Sequence, residues 1–295
     1  MSRDFILNLS EICERMAAIT FDGLTLTPQD SVPTPLWERD RRAIEAELGT
    51  DLSQTWMYNA VTVYLLEAGY ELNAIASLMK SESQQASIYP LVRAIVERTG
   101  VVNWILSEDA THRQRALRSS ISYLVSINPY VKALNALKVE QEHQAEFRKQ
   151  QELIETLMTQ WFGEPTKPDD PKTSEPTSDR TQWEYEGESY PGFNKLCKLS
   201  LERSNLTKSL ASAMYDVLSG FTHPNLFFGR EHLLAAEGRI FLAYGESDIE
   251  KITRFALGAY GEGVKRTACY FQEDPDEAIT TVDMLSDEVD AISVL

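Results

Sequence analysis

Paired cysteines, clustered histidines, phosphate-binding glycine motifs and long apolar runs are all missing from this sequence, and each absence removes a class of protein. The three cysteines, Cys13, Cys197 and Cys269, are odd in number, far apart and without metal-ligand spacing. They describe free thiols in a reducing compartment and not a disulfide framework. His112, His143, His223 and His232 show no paired-ligand spacing, and no His-Glu-x-x-His occurs. No metal is therefore expected. Neither Gly-x-Gly-x-x-Gly nor a Walker motif is present, so no cofactor is implied. No segment approaches the roughly 18 uncharged apolar residues that a membrane span needs. The opening MSRDFILNLSEICERMAAI carries acids within its apolar stretch and lacks a small-residue cleavage pattern, so it reads as a helix and not as a secretory leader. The expectation is a soluble cytoplasmic protein without a membrane partner.

Positive charge is also in short supply, with 28 Lys and Arg against 45 Asp and Glu for a formal charge of −17. Such a surface repels phosphate backbones, which leaves nucleic acid only a local basic patch to bind. The densest one is THRQRALR at 111 to 118, where Arg115 and Arg118 are the candidate binding residues beside Arg113. The alternative is a solvated helix face balanced by Glu108 and Asp109.

What is present is helical periodicity, nearly everywhere. The expected fold is all-α: a multi-helix bundle with a long protruding helical arm and at most one short β-hairpin. Phe5, Leu9, Ile12 and Met16 form one stripe over residues 2 to 18, and TPQDSVPTP at 27 to 35 forces an extended connection. A second helix runs from about Leu36 to Leu48 and stops at Gly49. DLSQTWMYNAVTVYLLEAG is apolar on most sides, as suits a central helix ending at Gly69, with ELNAIASLMK a short helix after it. ASIYPLVRAIVERTGVVNWIL is the most apolar long helix. Another helix begins at Thr111 and breaks at Asn128-Pro129, and a further one extends to about Trp161. Its polar middle, KVEQEHQAEFRKQQELIE, is the arm.

Residues 163 to 190 contain four prolines and eight acids against three bases, with almost no aliphatic side chains. That composition predicts a flexible loop, because little surface is available to offset the entropy of ordering. It separates an N-terminal half, 1 to 162, from a C-terminal half, 191 to 295, with both expected to pack as one domain. In the second half, AEGRIFLAYG predicts a hairpin turning at Glu237-Gly238. SDIE matches a capping box that opens a helix to about Tyr270, and the acidic tail forms a terminal docked helix. The glycines of GAYGEG permit close helix packing.

Two constellations could carry chemistry. On the apolar helix, Arg93, Glu97, Gly100 and Trp104 recur at steps of three or four, so two charges enter a largely buried element. Buried charges need partners, and Arg93 and Glu97 either form a structural ion pair or offer an arginine to an anionic ligand with Trp104 beside it. In YDVLSGFTHPNLFFGRE, Tyr215, Ser219 and His223 share a face at intervals of four, and Pro224 disfavours helical geometry just before it. His223 then either caps a helix end or works as acid or base at a cavity rim. Ser219 lacks the sharp elbow that an activated nucleophile requires. If the two helices meet, Arg93, Glu97, Tyr215, Ser219 and His223 form one polar pocket.

This pairing of Arg-x-x-x-Glu with Tyr-x-x-x-Ser-x-x-x-His-Pro resembles a set of bacterial all-helical proteins of unknown function. More remotely it is similar to HEPN-type bundles, including the abortive-infection AbiV proteins, whose dimers join an arginine and a histidine in a ribonuclease site. Those proteins place the arginine before the histidine on one helix; here Arg230 follows His223. The resemblance implies a bacterial helical protein of a defence or stress system. Two functions stand against each other: action through homo-oligomerisation or a protein partner, and metal-independent phosphodiester cleavage or ligand binding in the pocket.

Overall fold

The computed structural model describes residues 3–21, 35–81, 87–136, 141–170, 176–177, 179–201, 217–218, 233–236, 239–242, 246–272 and 274–293. Nine α-helices are present among the described residues: α1 (Arg3–Phe21), α2 (Pro35–Leu48), α3 (Leu52–Met79), α4 (Ile88–Ile105), α5 (His112–Ala136), α6 (Gln141–Phe162), α7 (Phe193–Leu201), α8 (Glu246–Phe271) and α9 (Asp276–Ser293). The fold is all-α. Strand content among the described residues amounts to two antiparallel pairs, β1 (Glu184–Tyr185) with β2 (Glu188–Ser189), and β3 (Leu233–Ala236) with β4 (Arg239–Leu242). The longer pair is the hairpin expected around Glu237-Gly238. No described helix is long and apolar enough to cross a membrane.

The chain clusters into two compact units assembled from alternating segments, one from 1–35, 62–103 and 193–295, the other from 36–61 and 104–192. In the first unit, Leu9, Ile12 and Met16 of α1 are buried in one apolar cluster with Leu65, Leu72 and Ile75 of α3 and Val92, Ile95 and Val96 of α4. The same cluster takes in Tyr260 of α8 and Val282, Leu285 and Val289 of α9. Each such side chain contributes about 1.5–3 kcal/mol on leaving water, and the i, i+3, i+4 spacing is what brings so many to one side. The acidic tail docks as α9 against α1 and α8. Glu288 accepts from Arg15 (2.9 Å), Asp290 from Arg254 (3.0 Å), and Asp283 pairs with Lys265.

Two helices run through the residues expected to stop them. α3 continues past Gly69, because that glycine is buried where a Cβ would lie 2.9 Å from the Tyr260 hydroxyl. Its propensity cost is only about 1 kcal/mol, and the packing around it is larger. α5 likewise continues through Pro129 to Ala136. The proline forfeits one backbone hydrogen bond, at about 3 kcal/mol, in a helix whose other turns pack along α6. In the polar stretch expected to project, residues 145, 146 and 148–150 are exposed.

The glycines of α8 do admit close neighbours. A Cβ at Gly261 would lie 2.9 Å from Val282 Cγ1, and one at Gly263 would lie 3.2 Å from Thr99 Cγ2, whereas Gly258 faces open space.

In the second unit, Trp56 stacks on Tyr123 (5.6 Å between centroids) and tilts against Trp161 (5.5 Å). The 163 to 190 connection carries more structure than its composition predicts. Trp183 and Tyr185 are buried, and the Trp183 indole N–H donates to the Thr177 carbonyl at 2.9 Å. Counting aliphatic residues overlooked two aromatics, each of which can bury about 150–250 Å².

Candidate functional site

The α4 constellation is local and real. Its apolar residues fix the helix in the first unit's core, and the face left over carries Arg93, Glu97 and Arg98. Arg93 Nε donates to Glu97 Oε1 at 3.3 Å, with the side chains 19% and 39% exposed, and the guanidinium lies 4.3 Å from the Phe193 ring centroid. The cation–π contact and the one-turn ion pair together hold the arginine in place.

Gly100 explains how α7 comes so close. A Cβ there would meet the Leu196 carbonyl oxygen at 2.6 Å, so only glycine lets the two backbones approach. The Ser200 hydroxyl then reaches the Val96 carbonyl (2.8 Å), and Asn103 Nδ2 donates to the Leu199 carbonyl (3.4 Å). The approach also buries Cys197, whose thiol is pushed up to about 12 by loss of water and then by the Glu97 carboxylate. It is an inert thiol at neutral pH.

Across from α4, α3 presents Glu67 and Glu71, one turn apart, to a single partner. Arg98 donates to Glu67 at 2.8 Å and contacts Glu71 at 2.7 Å. Glu71 Oε2 is buried without a hydrogen bond. Desolvation is the largest influence on this carboxyl; with Glu67 and Glu97 adding negative field against the opposing Arg98, it is pushed up to about 7. Near neutral pH it holds or releases a proton readily, as a general acid or base must.

Sequence reasoning missed this pair because ending the helix at Gly69 placed Glu67 and Glu71 on separate elements. The usable signal was two acids one turn apart in an otherwise apolar helix.

Tyr215, Ser219, His223 and Arg230 lie outside the described residues. The other candidates have structural employment in the second unit. Arg115 is buried and donates to Asp40 (2.8 Å) and to the carbonyls of Ser107 (3.2 Å) and Ala110 (2.5 Å). Arg118 bonds the Trp104 carbonyl (2.9 Å) and Glu188 (2.6 Å). Arg113 pairs with Glu47 and Glu186, stacks near Phe162, and donates to the Trp161 carbonyl (2.8 Å). The run 111 to 118 is therefore not a bare basic patch, since each of its arginines is matched by a carboxylate. Trp104 is buried, edge-on to Tyr190 at 5.9 Å, with its indole nitrogen unpaired. It serves the core and not a solvent-facing pocket.

Among the described residues no group of three His, Cys, Asp or Glu side chains is arranged to hold a metal ion. No family model, curated protein or solved structure matches the chain.

Proposed function

We propose that this protein acts through protein–protein contact, as a cytoplasmic helical protein that associates with a second copy of itself. The observation that carries the reading is one stripe of α3. Val63 and Tyr70, two helical turns apart, are 50% and 66% exposed, and Glu67 lies between them. Solvent-facing aromatic and aliphatic side chains in register are what interface cores are made of. The Tyr70 ring is held against Phe21 at 4.7 Å, so it is ordered before any partner arrives. The stripe is self-complementary: two antiparallel copies of α3 related by a twofold axis at Glu67 set each Val63 against the other Tyr70. Arg98 neutralises the central Glu67 in each copy, which removes the like-charge repulsion such a contact would otherwise meet.

Light scattering coupled to size exclusion, over a range of protein concentrations, tests this. The expected result is a dimer that Val63→Glu with Tyr70→Glu converts to a monomer of unchanged helicity. A wild type that stays monomeric at the highest concentration, or a doubly substituted dimer, rejects the reading.

A second reading, a ligand-binding or metal-independent phosphodiester-cleaving protein using Arg93, Glu97, Tyr215, Ser219 and His223, is favoured by the near-neutral Glu71 in the same unit as Arg93 and Glu97. Perturbed carboxyls concentrate at working sites. Cleavage of RNA in the presence of a chelator, lost in Arg93→Ala and His223→Ala at unchanged melting temperature, would establish it.

A further inference from the structure

The second unit holds an open cavity of about 330 Å³ between the end of α6 and the segment that follows it. Its lining includes Glu155 of α6, Glu164 and Lys167 just beyond it, and Trp183 and Tyr185 at the start of the β1–β2 pair. A space of that size accommodates a small ligand.

Three features of this cavity are unusual together. Tyr185 is 1% exposed, yet its hydroxyl has no hydrogen-bond partner. Leaving a buried hydroxyl unmatched costs about 1–3 kcal/mol, so something should repay it. Burial raises the pKa of that hydroxyl, and the negative field of Glu155 and Glu164 adds to this against the opposing Arg180, so it stays neutral. The third feature is the cations already present: Lys167 Nζ lies 4.0 Å from the centroid of Trp183, and the Arg180 guanidinium carbon 5.2 Å from it. An ammonium of this chain thus occupies the aromatic wall, and the indole is held in place by its own bond to Thr177.

Charge and hydrogen bonding point the same way. Glu155 is bonded by Arg180 at 2.7 Å, so the cavity is neutral only while Lys167 remains against Trp183. When that exposed lysine swings into solvent, one carboxylate charge is left over. A primary ammonium has three N–H donors, and the cavity lining offers three acceptors: the carboxylates of Glu155 and Glu164 and the neutral phenol oxygen of Tyr185. Trp183 provides the apolar face for an alkyl stem and the π-surface for the charge.

We propose that this cavity binds a primary alkylammonium group, donating its N–H bonds to Glu155, Glu164 and Tyr185 with its stem along Trp183, and that Lys167 is the internal competitor it displaces.

The test is calorimetric titration of the full chain with n-butylammonium chloride, beside tetramethylammonium chloride and sodium chloride at matched ionic strength. Butylammonium should bind saturably, and tetramethylammonium, which has no N–H donor, should not. Tyr185→Phe and Glu164→Gln should each weaken binding by about tenfold or more, the worth of a hydrogen bond to a charged group. Lys167→Ala should strengthen it.

Folding is controlled for by Tyr185→Phe, which removes a hydroxyl without a partner and should melt at or above the wild-type temperature. Cadaverine and N-acetyl-lysine methylamide separate the sources. Tighter binding of the first assigns a free diamine, tighter binding of the second a lysine side chain of a polypeptide, and either supports the site. Equal responses to butylammonium and tetramethylammonium would mean mere screening of an acidic protein and would overturn the proposal. So would unchanged affinity in Tyr185→Phe.

Discussion

Replacing Glu71 by glutamine should flatten one part of the protein's pH–stability profile, in a direction opposite to that of most carboxylates. In the folded chain this carboxyl keeps its proton up to about 7, whereas in the unfolded chain it ionises near the ordinary value of 4.5. Between those limits the folded state binds more protons than the unfolded state. The stabilisation is therefore complete below about 4.5 and is lost as pH rises through about 7. At about 1.4 kcal/mol per pH unit the gap amounts to about 3 kcal/mol. Water reaching the partly exposed carboxyl lowers this to about 2 kcal/mol.

Glutamine keeps the acceptor that faces Arg98 and cannot ionise. Relative to wild type, Glu71→Gln should gain about 1.5–2 kcal/mol between pH 5 and pH 8. The wild-type profile alone does not isolate the effect. Glu38, for example, is held down to about 2 by its bonds to Arg41 and Arg42, and its contribution is lost only in acid. The informative quantity is the difference between the two proteins in denaturant unfolding at each pH, in which other groups cancel. A difference that stays constant within about 0.5 kcal/mol from pH 5 to 8, the size of an ordinary surface effect, would refute the reasoning.

Two further perturbations address the fold. Gly100→Ala inserts a Cβ 2.6 Å from the Leu196 carbonyl oxygen, and overpacking of this kind costs about 1–3 kcal/mol, more than the helix propensity that alanine adds. A net fall in the chemical denaturation midpoint is expected, and a gain would show that α7 sits further from α4 than its close approach implies. Asp40→Ala strands the buried Arg115 guanidinium and should cost about 3–5 kcal/mol. A loss under about 1 kcal/mol in urea unfolding would show the pair to be solvated.

How much was legible beforehand follows from which forces act locally. The stripe Phe5, Leu9, Ile12 and Met16 is buried as its spacing requires. The stop at Gly49 is a left-handed residue with φ +72°, whose N–H bonds back to Glu45 at 3.0 Å. Such features depend on neighbours in sequence. Errors arose where tertiary packing overrode a local signal, as at Gly69 inside α3 and Pro129 inside α5. The site was legible in the same proportion. Arg93 and Glu97 pair one turn apart, so helical periodicity finds them, and Tyr215, Ser219 and His223 lie outside the described residues. The Arg98 link to Glu67 and Glu71 crosses between helices, and the Tyr185 cavity joins α6 to a hairpin; neither leaves a periodic trace.

The arginines also differ in what their release would cost, and that ranks them as anion ligands. Arg115 and Asp40 are 5% and 1% exposed, and separating them leaves a buried charge unpaired, so Arg115 is fixed. Arg118 is bound to Glu188 and to a backbone carbonyl, and freeing it exposes two acceptors. Arg93 is different. Its carboxylate partner is 39% exposed and 3.3 Å away, a pair worth under about 1 kcal/mol, and its guanidinium also lies 4.3 Å from the Phe193 ring centroid. Separating Arg93 from Glu97 breaks a partly exposed pair, while separating Arg115 from Asp40 breaks a buried one. Of the arginines singled out by the sequence and described in the structure, Arg93 has the most exposed carboxylate partner, and the basic run at 111 to 118 belongs to the fold.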